Sequence, residues 1–394
     1  MTRLSLTFLA FILLLLGCTS DLEESEMLYP ENTLPAPIEE MTEIEISKID
    51  LVYGWVNNMQ GDNGLLESAE DTNFVSLYDN ALASMIFMAR GDFLEAEMVF
   101  DFFHTRIDSE LLNGNGGFHQ FRTKDGGNIR RTWLGDNAWL LIALNNYQNL
   151  TQSNKYDRLA KELEIWIRSL QNDDGSLAGG YNQDGSPIGI ITEGMITAFN
   201  AVPGYDDFHK KLLLYLQDER WDDNELLLLT QKEEPAYQYA LDLHSLSFLI
   251  LKNFPPSVLD LADRYRTTQR STVTNIALEG YCFDDDNDVI WLEGTAQMAL
   301  ARAAAQQYET QSEIIEELEK NLIESNSFTE SKGLPYTSNQ GTSFGAVELW
   351  EHADLKPTLS SSIWYLFVKL SFNPFTAEKS KSIPITDQFW NPVM

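Results

Sequence analysis

Five carboxylates in this chain share a setting. Asp79 lies in Leu77-Tyr78-Asp79-Asn80, Asp136 in Leu134-Gly135-Asp136-Asn137, Glu193 in Ile191-Thr192-Glu193-Gly194, Asp242 in Leu241-Asp242-Leu243-His244, and Glu293 in Trp291-Leu292-Glu293-Gly294. Each stands where an apolar, helix-forming segment begins. Carboxyl groups gathered in this way can work as pairs: one donates a proton to a leaving oxygen, and another acts as base or nucleophile, which is what cleavage of a glycosidic bond needs. A helix N-terminus favours the charged form, so lowered pKa values are expected for Asp136 and Asp79, suiting them to base or nucleophile duty. A general acid needs a raised pKa, and Glu293 beside Trp291 and Leu292, or Glu193 beside Ile191, has the more apolar company. Acids at helix starts also serve as caps or buried hydrogen-bond partners, which is the structural alternative for each of the five.

Aromatic rings near these segments are candidate platforms for sugar faces: Tyr78, Phe118, Trp133, Tyr181, Trp291, Tyr336 and Trp350, with His244 as a further substrate-binding candidate. Trp139 falls one turn inside its helix and is expected in the core. A different chemistry, abstraction of a proton from a uronate by a lyase or epimerase, would use His119, Arg122, Arg130, Arg131 and His244 instead. A net charge of −33 argues against an anionic substrate and against nucleic acid as a partner.

No metal is expected at the catalytic carboxylates. The five histidines are scattered and His-Glu-x-x-His is absent, so zinc has no support. Asp284, Asp286 and Asp288 alternate as calcium-loop ligands do, but Val289 and Thr295 stand where an EF-hand loop needs Gly and Glu, and a solvated acidic turn is the expectation. A Gly-x-Ser-x-Gly elbow and a P-loop are both absent.

The elements that must position these residues alternate in character. Near Tyr78, Leu134, Glu193, Leu241, Trp291 and Leu359 begin segments apolar on every face and rich in small residues, which belong inside a fold. Between them, residues 46–59, 94–107, 156–170, 205–216, 258–266 and 314–323 carry an apolar stripe and a charged back, as surface helices do. The period of about fifty to sixty residues is a helical-hairpin repeat with an inner and an outer layer. Links from inner to outer helix are short, such as Arg90-Gly91-Asp92. The returning links are long and rich in Gly, Asp, Asn and aromatics, as in 113–121, 172–187, 279–290 and 332–352. All of the long links must emerge at one end, where the inner helices begin, and loops this long in a compact domain are usually functional.

Six such pairs, spanning 46–375, resemble the (α/α)6 toroid of the six-hairpin glycosidase superfamily. The resemblance implies an all-α closed ring, with an open helical solenoid as the alternative, and a central cavity onto which all five carboxylates point. It implies a glycoside hydrolase acting on an oligosaccharide or polysaccharide; a lyase or sugar epimerase, or a non-catalytic glycan-binding protein, are the alternatives on the same fold.

The N-terminus bears on location. Arg3 is followed by an apolar run, Leu4 to Leu16, too short for a comfortable membrane span but suited to a signal-peptide core. The run ends in Leu15-Leu16-Gly17-Cys18, which resembles the lipobox of bacterial lipoproteins, where the cysteine is acylated and the chain is cut before it. Residues 1–17 are thus expected to be a signal peptide, 18–45 a flexible acidic tether, and 46–394 the toroid domain. Ser20-Asp21-Leu22-Glu23-Glu24 is similar to the acidic surface-export signals of Bacteroidetes lipoproteins. The expected location is the cell envelope, lipid-anchored to the outer membrane. With Cys282 the only other cysteine, there is no intrachain disulfide framework.

Overall fold

The computed structural model describes residues 43–344, 347–377 and 381–391. The signal peptide, Cys18 and nearly all of the expected tether lie outside the described residues. Twelve α-helices follow in order among them: α1 (Glu43–Asn58), α2 (Leu77–Arg90), α3 (Phe93–His104), α4 (Leu134–Thr151), α5 (Asp157–Ser169), α6 (Thr192–Ala201), α7 (Asp207–Tyr215), α8 (Asp242–Ile250), α9 (Ser257–Leu261), α10 (Leu292–Ala304), α11 (Tyr308–Lys320) and α12 (Leu359–Lys369). No described helix is long and apolar enough to cross a membrane.

The even-numbered helices form the inner layer. In α2 every residue from Asp79 to Met88 is buried, and in α4 every residue from Leu134 to Tyr147. Odd-numbered helices bury one stripe: Leu159, Leu163, Trp166 and Ile167 in α5, Ile314 and Leu318 in α11. The inner helices pack in sequence, α2 on α4, α4 on α6, α6 on α8, α8 on α10 and α10 on α12, and α12 packs back on α2. That last contact closes the ring, so the architecture is the all-α (α/α)6 toroid.

The same end of every inner helix is tied to a neighbouring loop. The first turn of a helix leaves N–H groups without intrahelical partners. Here Leu77 N–H donates to the carbonyl of Gln120 (2.9 Å), Leu134 to Gly179 (2.9 Å), Leu241 to Phe283 (2.8 Å), Leu292 to Tyr336 (3.0 Å) and Leu359 to Ser68 (2.9 Å). Thr192 makes the corresponding link through its hydroxyl, which donates to the carbonyl of Leu229 (2.7 Å). Each inner helix is therefore anchored by the loop that precedes the next one around the ring, and all six long loops are held at one end.

Short antiparallel strands within those loops reinforce the pattern: β1 (Val75–Ser76) with β2 (Phe121–Arg122), β3 (Thr132–Trp133) with β4 (Gly180–Tyr181), β5 (Trp221–Asp222) with β6 (Leu227–Leu228), β7 (Arg266–Arg270) with β8 (Ala277–Tyr281), β9 (Ile323–Glu324) with β10 (Lys332–Gly333), and β11 (Thr342–Phe344) with β12 (Val347–Leu349). The opposite end is turned tightly: Gly91, at φ 87°, ends α2 in the left-handed conformation that lets its N–H reach the carbonyls of Met88 and Phe87.

Two outer helices differ from expectation at their ends. The helix expected over 258–266 stops at Leu261, passes through a 3-10 turn to Tyr265, and Arg266 enters β7. Thr267 and Thr268 are β-branched, and cross-strand pairing with Glu279 and Gly280 outweighs helix continuation. The helix expected over 314–323 begins six residues earlier, at Tyr308, and ends at Lys320, because Ile323 is drawn into β9 opposite Gly333.

Candidate active-site cavity

The tethered loop end of the ring encloses a cavity with two lobes that share Tyr78, Gln120, Asp136, Tyr336 and Trp350. The outer lobe, about 600 Å³, is lined by Asp79 and Asp136 along with Phe74, Lys356 and Ser360. The deep lobe, about 320 Å³, is lined by Asp136, Glu193, Asp242 and Glu293, with Trp133 and Trp291 beside them. Five acids from five different inner helices thus face one connected space.

None of the five is a cap. Ser76 caps α2, its hydroxyl accepting from Asp79 N–H at 3.4 Å, and the capping positions before α4, α6, α8 and α10 are Trp133, Ile191, Leu241 and Trp291. The acids sit one to three residues further on. Close packing there requires glycine once: a Cβ on Gly294 would lie 2.1 Å from the Trp291 ring.

Hydrogen bonds lock the acids in place. Asp136 accepts from Tyr78 N–H (3.3 Å) and from Gln120 Nε2 (3.2 Å). Glu293 Oε1 accepts from the Tyr78 hydroxyl (2.6 Å) and from Gln297 Nε2 (3.1 Å), and the Tyr78 oxygen in turn accepts from Trp364 Nε1 (2.7 Å). Glu193 Oε1 accepts from the Thr197 hydroxyl (2.9 Å). Ser360 and Tyr336 also hold Glu293, Tyr336 is bonded to Trp291 as well, and Asp242 Oδ1 is buried without a partner.

The electrostatics overturn the expected division of roles. Burial pushes Asp79, Asp242 and Glu293 each up to about 7. Burial also raises Asp136, with the Glu193 charge adding to it, and raises Glu193. The helix N-terminus does not leave Asp79 and Asp136 as depressed carboxylates. A dipole contributes at most about 1–2 kcal/mol, whereas desolvating a carboxylate among other carboxylates costs more. All five are shifted towards the neutral form, and the roles do not sort by helix position.

The aromatic candidates divide. Trp291 and Trp350 stack at 5.4 Å with ring planes 22° apart, and Tyr336 packs edge-on to Trp350 at 4.8 Å. Trp350 holds a φ of 58°, a left-handed backbone that is costly for a bulky residue and that aims its ring over the cavity. Trp133 lines the deep lobe under the Arg131 guanidinium, 4.6 Å from the ring centroid. Trp139 contributes to the floor, packed against Tyr78 at 5.3 Å and Trp364 at 5.8 Å.

Phe118 and His244 are not brought to the cavity. Phe118 is fully buried against Phe103, ring centroids 5.1 Å apart. His244 sits between α8 and the outer layer, where Nδ1 faces the Val258 carbonyl (2.8 Å) and Nε2 the Tyr265 hydroxyl (3.3 Å). Burial lowers its pKa to about 4, so it is neutral and structural. Tyr181 lies in β4, opposite Thr132.

The basic set for uronate chemistry is largely paired within the protein, with Arg131 held at the cavity wall on Gln120 and Trp133. Arg122 forms a buried ion pair with Glu110 (2.6 Å), Arg131 Nε donates to Gln120 (2.6 Å), and His119 Nδ1 faces the Arg130 carbonyl. Gln120, Gln297, Ser360 and Trp364 escaped the sequence reading. Only Gln297 had a signal, as the residue one turn after Glu293 on the same face.

The turn carrying Asp284, Asp286 and Asp288 caps its own backbone: Asp284 accepts from Asp286 N–H (3.3 Å) and Asp286 from Asp288 N–H (3.2 Å). Asp288 also accepts from the Thr342 hydroxyl (2.6 Å), which docks β11 beside the cavity.

No protein-family model and no curated protein matches the chain. Solved structures do. A glycosidase in complex with glucose superposes with a TM-score of 0.59 at 11% identity, covering 84% of this chain and 99% of that one. A sugar epimerase from a ruminal bacterium gives 0.57 at 13% identity, with 83% and 97% covered. Cellobiose 2-epimerase from Bacillus thermoamylovorans B4167 gives 0.54 at 12%, with 83% and 99% covered. At these identities the likeness is one of fold, the (α/α)6 toroid.

Proposed function

We propose that the protein is a carbohydrate-active enzyme, and specifically a glycoside hydrolase that uses carboxylates of the inner helices. The observation that carries this reading is the convergence of Asp79, Asp136, Glu193, Asp242 and Glu293 on one aromatic-walled cavity. Carboxyl groups raised to about 7 hold a proton near neutral pH, as a general acid must, and release it readily enough for a partner to act as base. Glu293 is the preferred acid, since its Oε1 is fixed by Tyr78 and Gln297. Asp136, at the junction of the lobes, is the preferred partner.

A sugar epimerase or isomerase is the second reading, favoured by the epimerases among the similar structures. One assay separates the two. Purified protein is incubated with neutral and uronic oligosaccharides, and reducing ends, unsaturated-uronate absorbance and epimer composition are followed together. New reducing ends from neutral substrates are expected. Epimerised sugar with no new reducing ends would replace hydrolysis by the second reading, and silence in all three channels would remove both.

The proposal also places the domain at the cell envelope, held by a lipid on Cys18. Labelled palmitate is expected to enter the wild-type chain and not the Cys18→Ala chain; equal labelling of both would sink the anchor.

A further inference from the structure

The cavity continues past the acids. A groove of about 330 Å³ meets the outer lobe at Phe74 and Phe121, which line both spaces. The two rings pack at 4.8 Å with planes 37° apart, and Phe74 stays 39% exposed. Backbone pairing holds them there: Phe121 lies opposite Ser76 in the β1–β2 ladder, and Ser68 N–H donates to the Phe74 carbonyl (2.8 Å). An open aromatic face on a path already walled by Tyr336 and Trp350 suits the C–H face of a pyranose ring. A glycan chain is thereby given a third position, after the deep lobe and the outer lobe.

The charges change along this path. Four carboxyl groups line the deep lobe, whereas no carboxylate lines the groove among the described residues. Arg122 and Arg130 line it instead. Arg122 is spent on Glu110. Arg130 is tied by its backbone alone: its N–H donates to the Phe121 carbonyl (3.1 Å) and its own carbonyl faces His119, while its exposed guanidinium forms no ion pair among the described residues.

On the other side of the ring pair, Lys356 lines the outer lobe half-buried, and its ammonium donates to the Glu70 carbonyl (2.8 Å) rather than to a carboxylate. The acids of that lobe do not claim it: Asp79 and Asp136 are shifted towards the neutral form, and Glu351 lies 3.4 Å from His352. With 60 Asp and Glu against 27 Lys and Arg in the chain, a cation has carboxylates to choose from. Two left without one beside the same ring pair are available to a ligand. An ammonium and a guanidinium fork are the donors that suit carboxylate and sulfate oxygens.

We infer that the outer lobe and this groove hold glycan rings beyond the one in the deep lobe, and that Lys356 and Arg130 select an anionic substituent, a uronate carboxylate or a sulfate ester, on one of them. This rests on the carbohydrate-active reading of the cavity, and it leaves the ring among the four carboxyl groups neutral. The net charge of −33 opposes an anionic chain at long range, but salt screens that repulsion beyond about 8 Å, so the contacts at the ring pair decide.

The test is binding of the purified protein to immobilised tetrasaccharides of β-1,4-glucose, β-1,4-xylose and α-1,4-glucose. Each is presented in a neutral form, a form with one glucuronate and a form with one sulfate, the anion on either end ring. On at least one backbone an anionic form is expected to bind about tenfold more tightly than its neutral parent, an advantage that high salt removes. A glucuronate preference makes the ligand a carboxylate and a sulfate preference makes it a sulfate ester; either supports the inference. Arg130→Gln, on an exposed loop, should remove part of the advantage. Adding Lys356→Gln should bring it below about threefold, with a melting temperature to show that the fold is intact. Phe74→Ala should weaken neutral and anionic forms alike. Neutral forms that bind as tightly as the anionic ones overturn the inference and leave the carbohydrate reading standing. An advantage that survives the double substitution also overturns it. If no form of any backbone binds, the carbohydrate reading falls and the inference falls with it.

Discussion

Glu293→Gln is expected to lower kcat by about 10²- to 10⁴-fold, the usual contribution of a positioned acid or base. The substitution keeps the shape of the side chain and an oxygen for the Tyr78 hydroxyl and Gln297 Nε2 to reach. What it removes is a titratable proton. The wild-type enzyme should lose activity as the pH rises through about 7, where Glu293 gives up that proton, and the variant's residual rate should lack this alkaline limb. Asp136→Asn should cost a comparable factor. The readouts are kcat against pH and a melting temperature to show that the fold is intact. A variant with kcat within tenfold of wild type and the same alkaline limb would take Glu293 out of the reaction.

The second large effect is on stability, and its sign is unusual. Asp79, Asp242 and Glu293 have folded-state pKa values of about 7, above the ordinary carboxylate values near 4 that apply once the chain unfolds. Between those pH values the folded chain binds more protons than the unfolded one, so stability falls as pH rises. Each group accounts for on the order of 3 kcal/mol across that window, before relaxation or water entry reduces it. Repulsion within a chain of net charge −33 acts in the same direction.

Opposing groups act in another range. Burial works against the ionised form of Glu319, but Lys48 and Lys369 hold it below the ordinary carboxylate value, so its stabilisation is lost only under strongly acid conditions. The melting temperature is therefore expected to be highest near pH 5 and to decline towards pH 8. A chain carrying Asp79→Asn, Asp242→Asn and Glu293→Gln should show a shallower decline over that range, with Asp136 and Glu193 still contributing to it. A wild-type melting temperature that climbs from pH 5 to pH 8 would mean that the cavity carboxylates are ionised and well solvated, and the proton-holding acid would go with it.

Much of the ring could be read from the chain because burial on all faces is a local property of sequence. A helix such as Leu134–Thr151, apolar round its circumference for most of its length, has no stable place except inside, so the inner helices and their starting points were legible to within a residue or so. Alternation of short and long links then required all the long loops, and the acids after them, to share one end. The contacts within that end were not legible. Tyr78 meets Glu293 across 215 residues of sequence, and Trp364 meets Tyr78 across 286. Such meetings exist only because α12 closes on α2.

The same closure set the protonation of the acids. Sequence shows an acid at a helix start and the dipole that would ionise it, but the desolvation that outweighs the dipole comes from burial in the assembled ring. His244 and Phe118 make the point in reverse. Their residue types suit a binding site, but whether a side chain on a buried helix or loop points inwards to the cavity or outwards to the next layer depends on packing around the ring. The sequence alone therefore determined the layering, the parity of the loops and the presence of acids at one end. Which of those acids hold protons, and which rings face them, was decided by ring closure, because desolvation and packing sum over elements far apart in the chain.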